Sequence, residues 1–224
     1  MGLDSDLCEI LRQAIQDYDF PHVTYDFRKA CEITHVSMRD VENEIRNGLL
    51  ADEPESIKDG LSNVLYWGYA RTGYRWVRVN RFRENVTESQ LQHAGRAFQH
   101  IEEPGVQQIV RLNLPEFSGL SFISKIRMFL DPAKYVVLDR QLLKLRDQEH
   151  RNIFHDIASA AKETRIRVSE TNARVYERWS RLCRQIAMEY FGEADIRAVE
   201  VERGIFYLVQ MKQARVAAEI LLNT

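Results

Sequence analysis

Apolar positions recur at intervals of three and four along most of this chain, the spacing that puts side chains on one face of an α-helix. Leu7, Ile10, Leu11 and Ile15 follow it near the start. Ser37, with Asp40 three residues later, predicts a capping box that opens a helix over VSMRDVENEIRNGLL. The first 60 residues or so therefore read as helices. A further helix is predicted from Ser56 to Gly73, with Leu61, Val64, Leu65 and Gly68 on one face. In YRWVRVNRF the period changes. Tyr74, Trp76 and Phe82 fall on one side of an extended chain and Val77 and Val79 on the other, so 74–82 reads as a short strand or an ordered loop.

Helical spacing returns at Thr87, a predicted N-cap, followed by Leu91, Ala94, Phe98 and Ile101 on one face, and Pro104-Gly105 closes the helix. A short helix over VQQIVRLN comes next. A turn around Ser118-Gly119-Leu120-Ser121 then leads into a helix carrying Ile123, Ile126, Phe129 and Leu130, with Ser121 as its predicted cap and Asp131-Pro132 as its stop. Three more helical stretches are predicted: 150–165, Thr171 to Gly192, and one from Ala194 with a break at Gly204. Positions 175, 179, 182, 186 and 190 form the core stripe of the second, and Glu200 and Glu202 face outward on the third. No repeat of constant period is present. The fold class expected is mostly α, one unit over 1–224, with an N-terminal lobe over 1–55 and the remainder over 56–224.

Composition narrows the function classes. The 224 residues are 45% hydrophobic and 29% charged, the balance of a globular chain. No run approaches the roughly 18 apolar residues of a membrane span, and the opening MGLDSDLCEILRQ has no basic then apolar leader, so neither membrane insertion nor secretion is expected. Cys8, Cys31 and Cys183 are widely separated, which fits reduced thiols in the cytoplasm. His93 with His100, and His150 with His155, lack acids or thiols at ligand spacing; neither a metal nor an iron–sulfur cluster is expected. The net charge of −2 argues against a general polyanion binder. Locally, however, Arg71, Arg75, Arg78, Arg81 and Arg83 are crowded into one stretch, so local charge matters more than the total.

The segment LPEFSGLSFISKIRMFLDPAKYVVLDRQLLKL, residues 114–145, carries the candidate chemistry. A glycine in a turn lets a backbone approach a phosphate, and the next helix offers free N–H groups and a positive dipole end. Glu116 also enters this turn, and an acid beside a phosphate opposes anion binding. The unit Leu114–Ser121 with its following apolar helix resembles the hairpin of the helix-hairpin-helix superfamily. With Lys125 inside the second helix and Asp139 ending DPAKYVVLD, the arrangement is similar to the 8-oxoguanine DNA glycosylase-like branch of the helix-hairpin-helix DNA glycosylases. The resemblance spans residues 60–210 and is strongest at 117–140.

That resemblance implies a glycosylase-like helical domain with its hairpin at 106–130, and excision of a damaged, oxidised base from duplex DNA without a cofactor. It implies Lys125 as the amine that captures the sugar C1′ and Asp139 as the carboxylate that stabilises cationic character there. Gly119, Ser121 and Ser124 would meet phosphate at the hairpin, and Arg71, Arg75, Arg78, Arg81 and Arg83 would hold phosphates on either side. Trp67, Tyr69 or Trp76 would stack on the flipped base. A cytoplasmic, nucleoid-associated protein follows from this.

Each residue also has a plainer reading. Lys125 suits a solvated helix face, Asp139 an N-cap, Trp67 and Trp179 a core, and the arginines a face paired with the carboxylates of the N-terminal lobe. The alternative function is a non-catalytic helix-hairpin-helix module that binds DNA or a protein partner in a repair or phage-defence system. A third is a helical interaction protein with no nucleic-acid role.

Overall fold

A computed structural model describes residues 2–100, 104–148, 151–158, 164–192 and 196–224. The chain forms two compact units, one of Phe20–Leu130 and one of Met1–Asp19 with Asp131–Thr224. Among the described residues the structure is mostly helical, with one two-stranded hairpin. No helix among them is long and apolar enough to cross a membrane. Ile101, His150 and part of the helix predicted at 150–165 lie outside the described residues.

In the discontinuous unit, α1 (Ser5–Gln16) starts at Asp4, whose carboxylate accepts the Leu7 N–H at 2.8 Å. The unit of Phe20–Leu130 opens with strands β1 (Val23–Asp26) and β2 (Cys31–Thr34), paired antiparallel with Thr24 opposite Ile33. The expectation of helices alone up to residue 60 is thus corrected. Four-residue strands carry too little alternation to register in a sequence pattern. What fixes them is a turn in which Asp26 Oδ1 accepts the Arg28 and Lys29 N–H groups, each at 3.0 Å, with Ala30 in the left-handed region at φ 52°. Asn63 adds a tertiary clamp, accepting the Tyr25 N–H at 2.7 Å and donating to the Tyr25 carbonyl at 3.1 Å.

Then follow α2 (Met38–Leu49) and α3 (Pro54–Gly68). The Ser37–Asp40 capping box is formed as its spacing predicts. Gly48 and Gly60 let these two helices approach backbone to backbone; a Cβ on Gly60 would lie 2.7 Å from Gly48 C and Leu49 N.

The next element, α4 (Arg75–Asn85), overturns the extended reading of 74–82. Its inward positions are Arg75, Arg78, Val79, Phe82 and Arg83, spaced by three, four and seven. Only two of the five are apolar. The arginines complete the helical stripe because their stems and guanidinium planes lie on aromatic faces, a role that a hydrophobic-periodicity reading does not credit to them.

Beyond it come α5 (Glu88–His100), α6 (Val106–Arg111) and α7 (Leu120–Leu130). Thr87 caps α5 as expected, with Gln90 N–H on its hydroxyl at 3.2 Å and Gln90 Oε1 on the Thr87 N–H at 2.9 Å.

The discontinuous unit is completed by a 3-10 segment Arg140–Asp147, a short 3-10 turn Ile153–Asp156, and the helices α8 (Glu170–Ile186), α9 (Ala198–Gln210) and α10 (Ala214–Leu222). α8 runs on as a π turn to Phe191 and stops at Gly192, φ 73°. Val175, Trp179 and Ile186 of the expected stripe are buried. The predicted break at Gly204 is absent: α9 passes through it, and the glycine is where α1 packs closest, since a Cβ there would lie 2.7 Å from Ile15 Cγ1 and 2.9 Å from Leu11 Cδ1. Glu202, expected to face outward, is buried along with Arg203. Trp179 sits in this core and donates Nε1–H to the Val137 carbonyl at 3.1 Å.

Candidate functional site

A turn joins α6 to α7; it closes at Leu114–Phe117, ahead of the predicted Ser118–Ser121, of which Leu120 and Ser121 are already helical. Asn113 ends α6 in the left-handed conformation, φ 49°, and its carbonyl accepts from Gln90 Nε2 at 2.6 Å. Leu114 and Phe117 are buried on either side of Pro115-Glu116 and anchor the turn, which the Phe117 N–H closes on the Leu114 carbonyl at 3.2 Å. Proline at the second position suits both common turn types, and positive φ at the third marks the type II form. That residue is Glu116, at φ 68°, where glycine or asparagine is the ordinary occupant.

Helix α7 begins at Leu120. The Gly119 carbonyl accepts from the N–H groups of Phe122 and Ile123, each at 3.2 Å, so the capping position falls on Gly119 and Ser121 lies inside the first turn. The Ser121 carbonyl accepts from Ser124 Oγ at 3.0 Å and from Lys125 Nζ at 3.3 Å.

Lys125 is 6% exposed, at odds with a solvated helix face. Its amine lies 4.8 Å from the centre of the Phe122 ring, which stacks on Tyr69 at 4.6 Å. Gly68 makes room for this group: a Cβ there would fall 2.7 Å from Phe122 Cε1 and 3.2 Å from Lys125 Cδ. Phe117 extends the cluster, with Phe122 at 6.2 Å and Phe82 at 5.5 Å. The structure thus gathers Ser121, Ser124 and Lys125 with Tyr69 beside the turn. Asp139 belongs to the other unit, where its carboxylate caps the 3-10 segment by accepting the Gln141 N–H at 3.0 Å.

The arginines take up the carboxylates of their own unit. Arg78 donates to Glu116 Oε2 at 2.7 Å and Arg81 approaches Oε1 at 3.4 Å, while the Glu116 side chain is 9% exposed. Hydrogen bonding to Glu116, more than any other influence, holds the Arg78 guanidinium above its usual range. The buried Nε–H of Arg78 has no acceptor among the described residues. Arg75 meets Glu32 at 3.1 Å and lies over Tyr66 at 4.3 Å. Arg83 meets Asp59 at 2.6 Å and lies over Phe27 at 4.1 Å. Arg71 lies over Phe20 at 5.3 Å.

The two tryptophans proposed for stacking part company. Trp67 is buried between Phe20 and Phe129, at 4.7 and 5.1 Å, a core position. Trp76 is 42% exposed and joins Tyr25 and Tyr66 at 4.6 and 5.3 Å. Tyr66 donates its hydroxyl to Glu32 Oε2 at 2.5 Å, and burial with that bond pushes its pKa up to about 12.

Three features escaped the sequence reading: the carboxylate clamp on the turn, the Tyr69–Phe122 stack over Lys125, and the aromatic group of Tyr25, Tyr66 and Trp76. Glu116 alone gave a signal, as an acid in a turn where phosphate binding wants none. Comparison with family models, curated proteins and solved structures gives no match for this chain.

Proposed function

We propose that the chain acts on DNA through the turn at 114–121 and excises a damaged base, with Lys125 as the nucleophilic amine. The supporting observation is the placement of Lys125: a lysine almost wholly withdrawn from water, with its amine at the first turn of the hairpin's second helix beside a stacked aromatic pair. In the reaction, the ammonium first gives up a proton. The nitrogen lone pair then forms a bond to the sugar C1′, and the base departs with the electrons of its glycosidic bond and takes up a proton. After loss of a second proton the nitrogen lone pair expels the ring oxygen, which takes up a proton as a hydroxyl, leaving a protonated imine that borohydride reduces by hydride transfer to a stable amine.

Borohydride trapping on duplexes bearing an oxidised base or an abasic site tests this directly. The expected result is a covalent protein–DNA adduct that Lys125→Met abolishes while the far-ultraviolet spectrum is unchanged. An adduct formed equally by the variant, or none on any such duplex, overturns the excision reading.

A second reading is a non-catalytic hairpin module that binds DNA or a protein. The engagement of Glu116 by Arg78 and Arg81 favours its protein-binding form, because arginines held on carboxylates are poorly placed to neutralise phosphates. Salt-sensitive DNA binding without an adduct identifies that module, and no binding at low salt leaves the protein partner.

A further inference from the structure

In the discontinuous unit, the exposed face of α8, the last turn of α10 and the 3-10 turn Ile153–Asp156 enclose an open cavity of about 500 Å³. Arg178 and Arg181 line it from α8 and Arg151 from the loop before the 3-10 turn; Asp156 is the one acid among the described residues that line it. Asp156 bridges two of the guanidiniums, accepting from Arg151 Nη2 at 2.7 Å and from Arg178 Nη1 at 2.8 Å. Arg181 is exposed and makes no ion pair among the described residues. Among the described residues, three guanidiniums against one carboxylate leave two positive charges around the opening. Ile153, Leu182 and Leu221 supply apolar lining between these polar groups.

We propose that this cavity binds a phosphomonoester with an apolar or aromatic body, of the nucleoside monophosphate kind. A phosphomonoester carries about −1.5 to −2 charges at pH 7, which matches the excess on the rim. Guanidinium forks donate paired hydrogen bonds to phosphate oxygens, and Asp156 holds two of the forks side by side before any ligand arrives. The leucine and isoleucine side chains of the lining offer apolar contact to a flat base, and the volume falls within the roughly 300–1,000 Å³ of small-molecule sites. Two sources share this chemistry, a free nucleotide and the 5′-phosphorylated end of a nucleic-acid strand. The site lies in a different unit from Lys125 and does not depend on the excision reading.

Calorimetric titration of the full chain with adenosine monophosphate, with adenosine and with inorganic phosphate tests it. The monophosphate is expected to bind at least about tenfold more tightly than adenosine, and more tightly than inorganic phosphate, with an affinity that falls as salt is added. Arg181→Gln, at an exposed position, and Arg178→Gln are each expected to weaken it several-fold without changing the melting temperature appreciably. Competition by a 5′-phosphorylated oligonucleotide but not its 5′-hydroxyl twin assigns the strand end; competition by neither assigns the free nucleotide. Equal affinity for adenosine and its monophosphate, absence of binding, or an Arg181→Gln variant that binds as the natural protein does overturns the proposal.

Discussion

Arg78 donates a 2.7 Å hydrogen bond to Glu116, and that glutamate occupies the left-handed position of the hairpin turn. A strained backbone and a two-arginine clamp therefore meet in one residue, with the carboxylate where a phosphate oxygen would sit if the arginines served an anion. Non-glycine residues in this region cost roughly 1–2 kcal/mol. The ion pairs, exposed at their arginine ends, contribute an amount of the same order, about 1 kcal/mol or less for each. Glu116→Gly, which relieves the strain as it removes the pairs, is expected to change stability by under about 1 kcal/mol, whereas Glu116→Ala, which keeps the strain, destabilises by about 1–2 kcal/mol. Denaturant melts check both. If the turn meets DNA, either variant also binds it more tightly at low salt; unchanged binding would assign Arg78 and Arg81 to the fold alone.

Gly60 and Gly73 separate close packing from mere turn propensity. Gly60→Ala forces α2 and α3 apart at a backbone contact and is expected to cost about 2–4 kcal/mol, since neither main chain can yield locally. Nothing lies within 4 Å of a Cβ on Gly73, and Gly73→Ala should be neutral to within about 0.5 kcal/mol. A pair of thermal melts reads the difference.

Tyr66 gives a dependence on alkaline pH. Its pKa, about 12 in the folded chain against the ordinary 10, means that the folded protein keeps a proton which the unfolded chain has lost in between. The contribution is fully present below pH 10 and disappears as the pH climbs toward 12. Tyr66→Phe has no proton to lose, so its stability is expected to fall less steeply across that window. Parallel slopes for the two proteins would refute the assignment.

Lys125 and Asp139 can each be probed without collapsing the fold. Lys125→Met keeps a long stem against Phe122 and beside Gly68 and is expected to cost under about 1.5 kcal/mol, while Lys125→Ala leaves an unfilled space and costs more. Asp139→Ala is expected to lose about 1 kcal/mol of cap stabilisation; Asp139→Asn retains most of it, because an amide oxygen still accepts the Gln141 N–H. Urea titration of the four variants gives the ranking.

Helix positions were legible because they are encoded locally. The Ser37–Asp40 box, the Thr87 cap, the stop at Asp131-Pro132 and the stripe of Val175, Trp179 and Ile186 each depend on residues a few positions apart. That a turn separates α6 from α7 was legible for the same reason, but its place at Leu114–Phe117 was not. The β-hairpin was not, since its clamp is Asn63, far along the chain. Nor was α4, whose inward arginines find aromatic faces and carboxylates only once α3 and the turn are folded around them. Composition placed charge along the chain, but which charges were neutralised was decided by packing: Glu116 and Glu32 reach arginines some 38 and 43 residues away, and no local pattern encodes that pairing.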